Sequence, residues 1–269
     1  MVTAVNWYVD SYAYLRITYD EIGGHMIEEE QNVVGLEESG YNDRSLLLAC
    51  LNRQGDAKEV VVIGSSRVFT FEHTMFDTDS FYNAGLSEAT IYDLWAVTGI
   101  LARNGHLPET MIIGVDAFLF NTAHDNDRWL ELEEYARYMD EAAGREADGQ
   151  ETAGESSRRL KNTGKHHDKW LSLDYFRYNI TCLPEGKRFA VSYTKDWETE
   201  LYTKHYDGSV SYQKALRDVQ PEEVVALTEE AMETHVVYRM TDYQEIDAGS
   251  MALLTDLIDY LQRQNVEVI

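Results

Sequence analysis

The segment Glu59-Val60-Val61-Val62-Ile63-Gly64-Ser65-Ser66-Arg67 is a run of β-branched residues that gives way abruptly to small and polar ones. An apolar run with no alternation marks a strand buried on both faces of a parallel sheet. Downstream, Phe81-Tyr82-Asn83-Ala84-Gly85 reads as a short second strand. Ser87 is then placed to N-cap a helix whose Ile91, Leu94, Trp95 and Leu101 keep helical spacing, with Thr98 on the same face. Asn104-Gly105 is a helix stop signal, and Met111-Ile112-Ile113-Gly114-Val115 is the next buried strand, ending at Asp116. Strand, crossover, helix and strand in alternation predict a doubly wound α/β fold.

The flanks predict one domain over residues 1–269, with the core at 58–121. Residues 1–57 form an aromatic-rich N-terminal extension in which Asp43 or Ser45 caps a short helix through Leu46, Leu47, Leu48 and Leu51, ending near Gly55. Residues 122–170 read as an acidic helical insertion on the surface, with a flexible tip at 142–157. The remainder, 171–269, returns to the core as a helix over 171–183. The Tyr-, Thr- and Trp-rich stretch 187–208 suits a hairpin or irregular loops. Pro221, followed by Glu222 and Glu223, opens a helix. Met251, Leu254, Leu257, Ile258 and Leu261 share a helix face, Asn265 ends that helix, and a strand begins at Val266. A buried strand seldom forms the last residues of a chain, so the expectation is a fragment truncated at its C-terminus.

Lys and Arg number 23 against 48 Asp and Glu, a net charge of −25. A duplex-binding surface needs many cationic contacts to phosphate, so nucleic acid is excluded as a partner. Adhesion to an anionic membrane surface is disfavoured for the same reason. Two cysteines, Cys50 and Cys182, exclude a disulfide-framed fold, and one bridge or two buried thiols both fit. The first residues lack the basic region and apolar run of a signal peptide. The chain is therefore cytoplasmic or has lost a leader.

The chemistry-bearing feature is Gly64-Ser65-Ser66-Arg67 directly after a buried strand, because ligands of open α/β sheets sit outside the strands' carboxyl ends. Asn83-Ala84-Gly85-Leu86-Ser87-Glu88 and Gly114-Val115-Asp116 fall at the same end of neighbouring strands. The order Gly-Ser-Ser-Arg, Asn-Ala-Gly-Leu-Ser, Gly-Val-Asp resembles the SGNH (GDSL-like) hydrolase superfamily. The nearest likeness is to exported members that handle acyl groups on cell-envelope polysaccharides, such as D-alanyl transfer proteins of teichoic acid and alginate-acetylation proteins. The resemblance covers 58–121 well and the remainder loosely.

That resemblance implies a three-layer α/β/α fold with a mainly parallel, flavodoxin-like sheet. It implies Ser66 as nucleophile, with Ser65 the alternate. Gly64, Arg67, Asn83, Gly85, Glu88 and Asp116 would line the site. The family's second block supplies an oxyanion-holding amide from a glycine, which falls at Glu88 without gaps or otherwise at Gly85. The third block normally offers an Asn side chain; an ionised Asp116 only accepts. No cofactor and no metal are implied. The partners implied are a polysaccharide or glycopolymer, an acyl donor, and membrane-bound envelope-biosynthesis proteins. The compartment implied is extracytoplasmic with a lost membrane anchor, the alternative being cytoplasmic.

The family's late Asp-x-x-His is missing from this sequence, and without a histidine Ser66 has no general base. His73 and His124 are the two candidates to replace it, though both read more readily as loop residues. His166-His167-Asp168 reads as polar loop rather than a metal set. Asn179-Ile180-Thr181 matches the glycosylation pattern. Three functions follow: a serine esterase or O-acyltransferase, inactive as this chain; a non-catalytic glycan-binding or assembly protein of the same fold; and a small-anion binder using Arg67.

Overall fold

The computed structural model describes residues 1–10, 18–36, 41–121, 126–145, 171–185, 191–234 and 245–269. In chain order the helices are α1 (Val2–Val9), α2 (Tyr19–Ile27), α3 (Asp43–Arg53), α4 (Ile91–Asn104), α5 (Glu133–Ala143), α6 (Leu173–Cys182), α7 (Lys214–Arg217), α8 (Pro221–Thr234) and α9 (Ala248–Arg263). The strands are β1 (Asn32–Val34), β2 (Val60–Ile63), β3 (Phe81–Asn83), β4 (Thr110–Ile113), β5 (Ser192–Thr194), β6 (Thr203–Lys204), β7 (Val210–Ser211) and β8 (Glu267–Val268).

The fold is α/β. A parallel sheet runs β3-β2-β4-β8, with Val60 opposite Phe81 and Thr110, and Thr110 opposite Glu267. Counted along the chain, its strands lie 2-1-3-4, the order that begins a flavodoxin-type sheet. In such a sheet the crevice opens between the first and third strands, here β2 and β4. Val61, Val62 and Ile63 are buried, as the unbroken apolar run predicts. They alternate faces: Val61, Ile63, Tyr82 and Met111 join the main core, whereas Val62 and Phe81 pack with Val68, Phe71, Phe76 and Ile112. Each such side chain contributes about 1.5–3 kcal/mol by leaving water.

Helix α4 is buried almost all round, from Ile91 to Leu101, the pattern of a core helix rather than a surface one. It starts at Ile91 under a Thr90 cap, not at the Ser87 cap expected from sequence. The reason is local. Ser87 gives its amide and hydroxyl to Asp43 Oδ2 (2.6 and 2.5 Å), and Glu88 has φ 49°. Thr90 and Asp93 then form a reciprocal capping box. Helix α3 is likewise capped earlier than expected, by Asn42 instead of Asp43 or Ser45: Asn42 Oδ1 accepts from Arg44 N and Ser45 N.

The segment read as a surface insertion is, over Arg128–Leu132 and α5, part of the core. Leu132, Tyr135, Ala136 and Met139 are buried against α4, where Gly99 lets the helices approach: a Cβ there would stand 2.3 Å from the Tyr135 carbonyl. The expected tip, 142–157, lies largely outside the described residues.

A second, antiparallel sheet runs β5-β1-β6-β7. It pairs Val33 of the N-terminal region with Tyr193 and Lys204. Asn179 of α6 is fully buried and donates to Asn6 Oδ1 (3.2 Å), so the folded chain cannot present it for glycosylation. Cys50 and Cys182 are both free and buried, and burial pushes the Cys50 thiol up to about 11. Among the described residues no helix is long and apolar enough to cross a membrane.

Candidate functional site

The chain leaves β2 through Gly64 and turns at once into a 3₁₀ helix, Ser66–Val68, capped by Ser65. Two glycines make room for this turn. A Cβ on Gly114, at the end of β4, would stand 2.4 Å from Val68 Cγ1, and one on Gly64 would stand 3.0 Å from the same atom. The first and third motif segments therefore touch, at the carboxyl ends of β2 and β4.

Ser65 and Ser66 have different surroundings. Ser65 is fully buried; its hydroxyl donates to Asp116 Oδ2 and accepts from the Arg67 amide (3.2 Å). Ser66 is half-buried, and its hydroxyl bonds to none of the described residues. Arg67 donates to Asp116 Oδ1 (2.6 Å) and lies over the Phe118 ring at 5.6 Å. Its charge is thus answered by Asp116, which weakens the anion-binding reading. Asp116 accepts from both neighbours, so it organises the turn rather than presenting a donor to a substrate.

The second segment resolves into a structural half and an open half. Asn83 ties the turn down: its Nδ2 donates to Val68 O (2.6 Å) and Phe71 O (2.9 Å), and its Oδ1 accepts the Gly85 amide (2.9 Å). Gly85's donor is thereby occupied. The amides of Ser66 and Glu88 donate to no described residue. Glu88, at the position where the resembled family has glycine, adopts a left-handed φ of 49° that suits glycine. Its carboxylate is over half exposed and points to Arg128 (3.5 Å), and its carbonyl accepts from Asn126 Nδ2 (2.8 Å).

Sequence reasoning missed the support beneath this loop. The second sheet docks on it: Val210 N donates to Phe69 O (2.8 Å), and Asn83 N donates to Asp207 O (2.7 Å). Asp207-Gly208 was legible as a turn signal, but its contact with Asn83 was not. Around the same turn, His73 Nδ1 sits 3.0 Å from Asp207 Oδ2, and Trp197 stacks on His205 at 3.9 Å. None of the four described histidines (His25, His73, His106, His205) bonds Ser66. His73 is paired with Asp207 instead, and His124, His166, His167 and His235 lie outside the described residues.

His205 is fully buried, with its Nε2 on Ser211 Oγ (2.8 Å) and its Nδ1 without a partner among the described residues. Burial lowers its affinity for a proton to a pKa of about 4, below the ordinary value near 6.5. The unfolded chain therefore binds a proton there before the folded chain does. Stability is expected to fall as pH drops from about 6.5 towards 4, by up to about 3 kcal/mol. Urea midpoints from pH 7 to 4 should show this slope, and His205→Gln should flatten it. Parallel profiles for the two proteins would rule the assignment out.

Comparison with family models, with curated proteins and with solved structures finds no match to this chain.

Proposed function

We propose that the chain is an SGNH-like serine acyl-ester hydrolase or acyltransferase acting on cell-envelope polysaccharide or glycopolymer. In this reading the fold is a three-layer α/β/α domain, completed by an Asp and a His outside residues 1–269, and it works outside the cytoplasm, anchored beside membrane-bound envelope-biosynthesis proteins. The observation that carries the reading is Ser66 itself: a half-exposed hydroxyl at the carboxyl end of β2, bonded to none of the described residues and held by a turn whose Ser65 and Arg67 side chains are engaged. Ser66 Oγ attacks the acyl carbonyl, and its proton passes to the histidine. The unengaged Ser66 and Glu88 amides are the donors available to the oxyanion. The alkoxide of the donor leaves with a proton, and water or a glycan hydroxyl then takes the acyl group.

The test is labelling of the full-length protein by a serine-directed fluorophosphonate. Labelling should be lost in Ser66→Ala and kept in Ser65→Ala. Residues 1–269 alone should react slower by about 10²–10⁴-fold, the usual contribution of a general base. Equal labelling of Ser66→Ala and the parent would defeat the proposal. Complete inertness of the full-length protein would favour a second reading, a non-catalytic glycan-binding or assembly protein. The absence of a Ser66–histidine contact among the described residues supports that second reading.

A further inference from the structure

We infer that the recess between the first turn of α4, the Phe118–Asn121 stretch and the start of α9 is a subsite for one neutral pyranose ring. Calling that ring part of the acceptor rests on the function proposed above; the binding itself does not.

The recess has a volume of about 260 Å³, just under the roughly 300–1,000 Å³ of sites for drug-sized ligands. It takes one ring rather than a chain. One wall is aromatic. Tyr92 and Trp129 stack with ring centroids 4.9 Å apart and planes 22° apart, and Tyr92 is 46% exposed on a helix otherwise buried nearly all round. A sugar ring presents C–H faces to such a shelf and hydroxyls at its edge, which suits amphipathic aromatic rings.

Polar groups line the remainder. Asp247 Oδ2 caps α9 by accepting Ser250 N (2.6 Å), while Asp247 Oδ1 and Ser250 Oγ bind none of the described residues. They offer an acceptor and a donor-acceptor for neighbouring hydroxyls. The charge selects a neutral ligand: Asp247 lies in the recess, and its Oδ1 is bound by none of the described residues. Two cations adjoin the lining residues and both are answered: Arg128 by Asp43 (3.0 Å) and Glu88 (3.5 Å), and Arg67 by Asp116 (2.6 Å).

Position ties the recess to Ser66. Phe118, which lines it, lies under the Arg67 guanidinium. Asn126, on its rim, holds the Glu88 carbonyl. A ring seated here is one residue contact removed from Arg67, through Phe118, and from Glu88, through Asn126.

Saturation-transfer NMR on the full-length protein tests this with three probes: methyl α-glucopyranoside, N-acetylglucosamine and glucuronate. Transfer to at least one neutral sugar is expected, with weaker transfer to glucuronate. Affinity should drop roughly tenfold in Tyr92→Ala, whose exposed position leaves the fold intact by circular dichroism. Trp129→Ala should act likewise, and is compared only if it melts with the parent. Transfer to no probe, unchanged affinity in Tyr92→Ala, or preference for glucuronate would overturn the inference. Ser66→Ala separates the two proposals. Sugar binding retained in a protein whose Ser66 never labels leaves the subsite standing and removes the enzyme. Ser66 labelling without sugar binding does the reverse.

Discussion

Asp93→Ala is expected to destabilise the protein by about 3–5 kcal/mol, the usual cost of stranding one member of a buried ion pair. Arg44 and Asp93 are both fully buried. The guanidinium grips the carboxylate with two bonds, Nε to Oδ1 (2.8 Å) and Nη2 to Oδ2 (2.9 Å). Its Nη1 reaches Asp43 Oδ1 (3.1 Å) and the Ser87 carbonyl (3.3 Å). Asp93 Oδ2 also takes the Thr90 amide (2.7 Å) and hydroxyl (3.0 Å). Removing the carboxylate leaves Arg44 with Asp43 as its ion-pair partner among the described residues and removes the Asp93 half of the α4 capping box, while Thr90 Oγ1 still accepts the residue-93 amide. The network holds Ser87 and Thr90 on either side of Glu88, so the loss should also loosen the amide assigned to the oxyanion. Urea unfolding measures the first effect, and the rate of fluorophosphonate labelling the second. A double replacement, Arg44→Met with Asp93→Leu, should recover part of the stability, because an apolar pair carries no desolvation penalty. A cost below about 1 kcal/mol for Asp93→Ala would show that solvent reaches the pair.

Gly208→Ala is expected to cost about 2–5 kcal/mol, combining left-handed backbone strain with overpacking. Gly208 has φ 81°, and a Cβ there would stand 2.1 Å from the Asn83 carbonyl oxygen. The turn cannot easily back away. The Gly208 carbonyl accepts from buried Lys204 Nζ (2.5 Å), and Asp207 Oδ1 holds the Ser209 amide (2.9 Å) and hydroxyl (2.6 Å). The strain should therefore fall on the joint between the two sheets. Amide exchange at Asn83 and Val210 should speed up more than at Val61 or Met111, which lie inside the parallel sheet. Uniform acceleration across all four amides would mean global destabilisation instead of a loosened joint.

These two sites show how unevenly the molecule was legible. The Val60–Ile63 strand, the Thr110–Ile113 strand and α9 declare themselves because each carries its own local signal: an unbroken β-branched run, or apolar residues at helical spacing. Gly105 and Asn265 mark helix ends through positive φ values of 72° and 62°, conformations that these residue types tolerate. The start of α4 was misplaced because the Ser87 hydroxyl has two possible partners, its own helix or Asp43, and only the folded chain brings Asp43 within reach. The acidic stretch at α5 looked peripheral because its buried positions, Leu132, Tyr135, Ala136 and Met139, are outnumbered by charged neighbours. The contact that buries them, at Gly99, lies in a different part of the chain.

The Gly64–Arg67 turn and its place after a buried strand were readable from residue order, since strand, turn and motif are consecutive. So was the placement of Asn83 and Asp116 at the same end of the sheet. Which serine is open was not readable. Ser65 and Ser66 are chemically identical neighbours, and they differ because Asp116 and the Arg67 amide engage one and leave the other. Nor could residue order separate Gly85 from Glu88 as amide donors, a distinction made by a single bond that the Gly85 amide donates to Asn83 Oδ1. The antiparallel sheet lay furthest from view: Val33, Tyr193 and Lys204 pair across more than half the chain, and no local propensity records a partner at that distance. Short-range chemistry wrote the strands and turns into the sequence; the burial of one hydroxyl and the exposure of its neighbour depend on groups that meet only when the chain has folded.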